Sequence, residues 1–137
     1  MKKRIEYALC FLGVRYRWGG DNPLEGFDCS GLVLEALRSE GHVSEDMTGL
    51  DLYKYLKGKN WYNLPREKIF EGEVIFFGKS LDKISHVALA LNNQQMIEAG
   101  GGDATTVTNE EAIRKNAFVR IRPINNRKDL LAILGHE

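Results

Sequence analysis

The thiol of Cys29 carries the chemical reading of this chain. It lies in the segment Gly26-Phe27-Asp28-Cys29-Ser30-Gly31-Leu32, which follows Tyr16-Arg17-Trp18-Gly19-Gly20 and a short loop containing Pro23. The spacing of the apolar residues after it predicts a helix, so the thiol stands at a helix mouth. There the backbone presents partial positive charge and unsatisfied N–H donors, which favour thiolate over thiol and can receive an oxyanion. Such a cysteine becomes a nucleophile when a general base stands within reach.

Three histidines are available to be that base. His42 falls in a polar loop after the predicted helix, and His136 is next to the C-terminus. Only His86 begins an expected strand, Ser85 to Leu91. On that strand His86, Ala88 and Ala90 share one face, while Val87, Leu89 and Leu91 share the other. The small residues beside His86 lead us to expect the Cys29 helix on that face. A strand-edge histidine is often only a hydrogen-bonded surface or core residue. The Asp-Cys-Ser-Gly segment upstream favours a base that takes the thiol proton and later donates one to a leaving amine.

Glu98 is the candidate to orient the imidazole. If His86 lies opposite Glu98, Ala90 lies opposite Gln94, Leu91-Asn92-Asn93 form a three-residue loop and the two side chains share a face. A two-residue Asn92-Asn93 turn would place Glu98 on the opposite face, since a one-residue shift inverts a strand. The first register is favoured; the ordinary alternative for Glu98 is a solvent-facing carboxylate.

These residues need a scaffold, and the hydrophobic pattern supplies one. Residues 2–13 read as an amphipathic helix with Ile5, Ala8, Leu9 and Leu12 inward, and 13–28 as a loop punctuated by Gly and Pro. The Cys29 helix runs to about Ser39 and is ended by Gly41. A third helix spans Thr48 to Leu56, with Leu50, Tyr53 and Tyr55 offering apolar contacts. Val74-Ile75-Phe76-Phe77, ending at Gly78, reads as a buried strand. Ser85 to Leu91, Gln95 to Ala99 and Phe118 to Arg122 read as further strands. Thr108-x-x-Glu111 is a capping box for a short helix to about Asn116, and Asn126 to Leu134 is expected to be a terminal helix. The expected class is α+β, with N-terminal helices packed on a mainly antiparallel sheet.

Composition narrows the classes. The 137 residues fit one domain, 1–137, with enough apolar material for a core. Equal numbers of basic and acidic residues, 19 of each, give no global reason to expect nucleic acid or an anionic membrane as partner. Two cysteines are too few for a disulfide framework and form no zinc-ligand cluster. Cys10, inside the first helix, reads as a small buried hydrophobe. Met1-Lys2-Lys3-Arg4 precedes a short apolar run interrupted by Glu6, with no cleavage site, so neither a Sec signal nor a lipoprotein start is expected. No window approaches a membrane span.

Tyr-x-Trp-Gly-Gly, Phe-Asp-Cys-Ser-Gly-Leu, Gly-Glu-Val-Ile-Phe-Phe, Ser-His-Val-Ala and Met-Ile-Glu-Ala occur in that order between Leu12 and Ala99. This set resembles the NlpC family of papain-like cell-wall cysteine peptidases. The resemblance implies a papain-like fold and hydrolysis of peptidoglycan stem peptides or muropeptides, commonly between the γ-carboxyl of D-glutamate and a diamino acid. It implies Cys29 as nucleophile, His86 as base, and Tyr16 with the Cys29 backbone N–H as oxyanion donors. Tyr16, Trp18, Asp28, Ser30 and Ser85 then line the substrate groove, where the Asp28 carboxylate can recognise a free amino terminus. Glu98 departs from the pattern, the family more often having His, Asn or Gln there. The chemistry calls for no metal or organic cofactor.

Plainer roles stand beside these: Asp28 as an N-cap, Tyr16 and Trp18 as loop packing, Gly19-Gly20 as a turn. An amidase or acyltransferase on the same scaffold, or a non-catalytic wall-binding or assembly module, are the competing functional classes. The chain is expected to be made in the cytoplasm and to reach the cell wall by another route, as a phage-associated or specially exported enzyme or an excised catalytic domain would.

Overall fold

The computed structural model describes residues 1–17, 20–22, 24, 26–43, 45–100, 110 and 117–136. Three helices come first: α1 (Lys3–Leu9), α2 (Cys29–Arg38) and α3 (Gly49–Gly58). A two-stranded pair, β1 (Asp21–Asn22) and β2 (Gly26–Phe27), lies between α1 and α2. After α3 come β3 (Tyr62–Asn63), β4 (Val74–Gly78), β5 (Ile84–Ala90), β6 (Gln95–Gly100), β7 (Phe118–Pro123) and β8 (Leu130–Gly135). Among the described residues they form one six-stranded sheet in the order β3-β8-β4-β5-β6-β7, antiparallel at every junction. The class is α+β.

Local chemistry sets the helix ends. Asp28 caps α2 and Thr48 caps α3, each side-chain oxygen accepting a backbone N–H of the first turn. After α2, the left-handed Gly41 (φ 80°) lets the His42 N–H reach back to the Leu37 carbonyl at 3.1 Å. In α3 the fully buried residues are Leu52 and Leu56 rather than Leu50, with Tyr53 and Tyr55 packed at the edge of the core.

The sheet has two apolar faces. One packs Val74, Phe76, Val87, Leu89, Ile97 and Ala99 against Leu32, Val33, Leu34, Ala36 and Leu37 of α2 and against α1 and α3. The other gathers Ile75, Phe77, Ala88, Ala90, Met96 and Ile133 beneath Ile69 and Ile124. The body of α2 therefore packs on the face of Val87 and Leu89, not on that of Ala88 and Ala90 as the small-residue argument expected. Bulk explains the reversal: the larger residues bury more apolar area against the helix. Truncating Leu32 to Ala at this contact should cost about 2–5 kcal/mol.

Three further expectations are corrected. The segment expected as a helix over 126–134 is a short 3-10 turn, Ile124–Asn126, followed by strand β8, which fills the position beside β4. Its run Leu130-Leu131-Ala132-Ile133-Leu134 is short and apolar, the case in which period does not separate helix from strand, and the open edge of β4 decides it. Cys10 is exposed at the C-cap of α1, its Sγ 3.4 Å from the Glu6 carbonyl oxygen, and Leu12 is exposed too, because α1 ends at Leu9. The capping box at 108–111 and its helix lie outside the described residues.

The β5–β6 hairpin pairs Leu89 with Ile97 and Ala90 with Met96. Carried along the strands, that register sets Glu98 across from Ala88 and Gly100 across from His86. It is two residues away from the favoured pairing of His86 with Glu98, and a shift of two leaves faces unchanged. The loop is Asn92-Asn93-Gln94, with the Asn92 side chain accepting from the backbone N–H of both Gln94 and Gln95 at 2.8 Å.

Candidate active site

Cys29 is the first residue of α2 and is half-buried. Its placement follows from Asp28, whose extended backbone and carboxylate, accepting from the Gly31 N–H at 2.7 Å, start the helix there. Ser30 Oγ donates to the same carboxylate oxygen at 3.3 Å. The strand-like segment before the helix lies tight on its first turn: the Asp28 N–H donates to the Gly20 carbonyl at 3.0 Å, and a Cβ at Gly31 would collide with that carbonyl oxygen. Glycine at 31 is thus a close-approach requirement.

Tyr16 is buried beside this turn and bridges to Phe27. Burial, then the negative charges of Cys29 and Asp28, push its phenol pKa upward, so it remains an O–H donor across the ordinary pH range.

His86 lies on β5 opposite Phe77, whose ring is 5.6 Å away, and is 7% exposed. Its Nε2 is 2.8 Å from Glu98 Oε1, and the Cys29 thiol is within hydrogen-bonding reach of the ring. With Nε2 engaged by Glu98, Nδ1 is the nitrogen left for the sulfur. Burial is the largest single influence and opposes the imidazolium. The hydrogen bonds and charges of Cys29 and Glu98 together outweigh it, raising the His86 pKa from 6.5 to about 9. Glu98 is 1% exposed. Burial acts to raise its pKa, but His86, Arg122 and Arg120 reverse this and hold it ionised. A thiol, an imidazole and a buried carboxylate in this order are groups that can activate a sulfur nucleophile.

The NlpC/P60 family model matches residues 13–122. This chain belongs to the NlpC/P60 family. It is 33% identical over 114 residues to the peptidoglycan endopeptidase RipA of Mycolicibacterium smegmatis, covering 72% of this chain and 21% of RipA. The chain thus spans about a fifth of that relative's length. The crystal structure of the NlpC/p60 domain of the peptidoglycan hydrolase SagA superposes with a TM-score of 0.73, at 19% identity, covering 98% of this chain and 97% of that one. RipD of Mycobacterium tuberculosis, described as a non-catalytic NlpC/p60 domain protein adapted to peptidoglycan binding, has a TM-score of 0.69 at 21% identity, covering 98% and 94%. The backbone is therefore shared by catalytic and non-catalytic proteins, and the side chains must decide between them.

In this NlpC/P60 chain the structure brings together Tyr16, Asp28, Cys29, Ser30, His86 and Glu98. Asp28 and Ser30 also line a cleft of about 410 Å³ with Gly20, Met47 and Asp51. Ser85 is solvent-exposed on the strand position before His86. Trp18 lies outside the described residues. Among the described residues no group of three or more His, Cys, Asp or Glu is arranged to hold a metal ion, and no helix is long and apolar enough to cross a membrane.

Sequence reasoning missed two arginines. Arg120 pairs across β6–β7 with Glu98, and Arg122 pairs with Met96. Glu98 Oε2 is 3.1 Å from Arg122 Nη1 and 3.7 Å from Arg120 Nε. The signal was the alternation Arg120-Ile121-Arg122 on a strand expected to follow the one bearing Glu98, which puts both cations on one face.

Proposed function

We propose that this chain is a cysteine endopeptidase that hydrolyses peptidoglycan stem peptides, at the bond between the γ-carboxyl of D-glutamate and a diamino acid. The observation that supports it most is His86 buried between a thiol and a carboxylate, with its pKa raised to about 9. A histidine in that state keeps its proton at neutral pH, which is the form an acid needs to expel an amine.

In the proposed reaction the sulfur of Cys29 attacks the scissile carbonyl carbon, a C–S bond forms and the carbonyl pair moves onto oxygen. The Tyr16 O–H and the Cys29 backbone N–H donate to that oxyanion. On collapse the C–N bond breaks and His86 delivers its proton to the departing amine. Water then attacks the thioester, His86 takes the water's proton, and Cys29 leaves as the acid is released. Glu98 fixes the ring through Nε2 and stabilises its positive charge. Asp28, Ser30 and the adjoining cleft hold the acyl side of the stem peptide.

The name of the RipA relative supports the substrate class, and intact Cys29 and His86 weigh against a non-catalytic module of the RipD kind. Mass spectrometry of defined muropeptides tests the reading. The wild type should release two fragments whose masses sum to substrate plus water, split at the γ-D-glutamyl bond, and Cys29→Ala should release none. Equal products from Cys29→Ala, or an intact muropeptide with the wild type, would overturn it. A product carrying an added acceptor would instead indicate an acyltransferase.

A further inference from the structure

We propose that Arg122, seconded by Arg120, is a positioning residue for the reacting imidazole: it grips Glu98 by the carboxylate oxygen that His86 does not use. The inference rests on the Cys29–His86–Glu98 reading above and deepens it.

A carboxylate held at one oxygen can still turn about its terminal torsion, and that turn carries its hydrogen-bond acceptor away from the ring. Glu98 is held at both. Oε1 faces His86 Nε2 at 2.8 Å and Oε2 faces Arg122 Nη1 at 3.1 Å, with Arg120 Nε at 3.7 Å. The strand register makes this possible, since Arg120 is directly opposite Glu98 and Arg122 one pleat further on the same face. Arg122 has its own support: with the Asn126 amide oxygen turned toward it, its Nε donates at 3.0 Å. A planar guanidinium suits this task better than an ammonium, because its donors lie in a fixed fork.

The charges make the same case. Glu98 is faced by His86 from β5 and by Arg120 and Arg122 from β7. His86 is faced by Cys29 from α2, by Glu98 from β6, and by Asp129 before β8, itself paired with Arg127 at 2.7 Å. A buried carboxylate with only an imidazolium beside it would be that ion's sole counter-charge. With a guanidinium already balancing Glu98, the imidazolium's positive charge remains available to the Cys29 sulfur. Removing Arg122 leaves Glu98 buried and less compensated, so it takes up a proton at higher pH and its hold on Nε2 weakens.

The test is a pH series of kcat and KM on a defined muropeptide for wild type, Arg122→Met, Arg122→Lys, Glu98→Gln and the double variant Glu98→Gln/Arg122→Met. Iodoacetamide alkylation of Cys29, in a Cys10→Ser background, gives a substrate-free second profile. Arg122→Met should lower kcat roughly 10- to 100-fold, with KM little changed, as expected for lost orientation. Its acid limb should move to higher pH, and Arg122→Lys should recover part of both. On the Glu98→Gln background the same substitution should cost no more than about twofold, because its route of action is gone. A wild-type profile and kcat in Arg122→Met would overturn the proposal, as would an equal fold-loss with and without Glu98. Should Arg122→Met fail to fold by circular dichroism, Arg122→Lys carries the test, and wild-type kcat and profile there would overturn it. Full activity in Cys29→Ala would instead defeat the underlying reading.

Discussion

His86 and His42 each stand beside a glutamate, and their surroundings bias them in opposite directions. His86 Nε2 is 2.8 Å from Glu98, and His42 Nε2 is 3.3 Å from Glu40. At His86 burial is outweighed by Cys29 and Glu98, and the pKa rises to about 9. At His42 burial and the positive charge of Arg4 win over Glu40, with His136 adding to them, and the pKa falls. Glu40 also takes the Arg4 side chain at 2.8 Å and the Arg4 backbone N–H at 2.9 Å, which brings that cation to the His42 ring. The His42 ring packs edge-on to Trp61, which also stacks on His136. A neighbouring carboxylate therefore does not make a histidine a base; what else faces the ring decides. The thiol is the difference at His86, and the arginine is the difference at His42.

The sharpest way to break the contrast is to remove what only His86 has. Cys29→Ala and His86→Ala should each reduce muropeptide hydrolysis by roughly 10⁴-fold or more, while both variants keep their far-ultraviolet circular dichroism. Glu98→Gln should follow, lowering kcat by about 10- to 100-fold. Because Glu98 raises the His86 pKa, the alkaline limb of kcat/KM, placed near 9 in the wild type, should move to lower pH in this variant. An unchanged limb would remove Glu98 from the set.

Stability should separate the two histidines by sign. For His86 the folded pKa lies above the unfolded 6.5, so its contribution is complete below 6.5 and is lost as pH rises toward about 9. Glu98→Gln should therefore flatten the decline of Tm over that window. For His42 the folded pKa is lowered, so its contribution is present above 6.5 and is lost as pH falls. His42→Gln should lessen the acid-side loss of Tm and leave kcat/KM within about threefold, the smallest effect of the series.

The two regions also differed in how far they could be read from the sequence. Asp28, Cys29 and Ser30 form a local motif whose geometry is a helix cap, and local rules were enough. The link from His86 to Glu98 required a hairpin register. Parity was accessible because an even shift preserves faces, but the displacement of two depended on how Asn92 folds the turn. The packing of α2 was misread because small residues beside His86 were weighed above the larger apolar residues on the other face. Arg120 and Arg122 needed the β6–β7 pairing, which spans a long intervening segment and has no local signature. β8 was misassigned because only the vacant edge of β4, a tertiary fact, selects strand over helix for its apolar run.

One spectrum can hold both sides of the comparison. Imidazole nitrogen NMR of the wild type, followed across pH, should show His86 protonated through neutrality with a midpoint near 9 and His42 titrating below 6.5. In Glu98→Gln and in Cys29→Ala the His86 midpoint should fall while that of His42 stays. A His86 midpoint at or below that of His42 in the wild type would contradict the account.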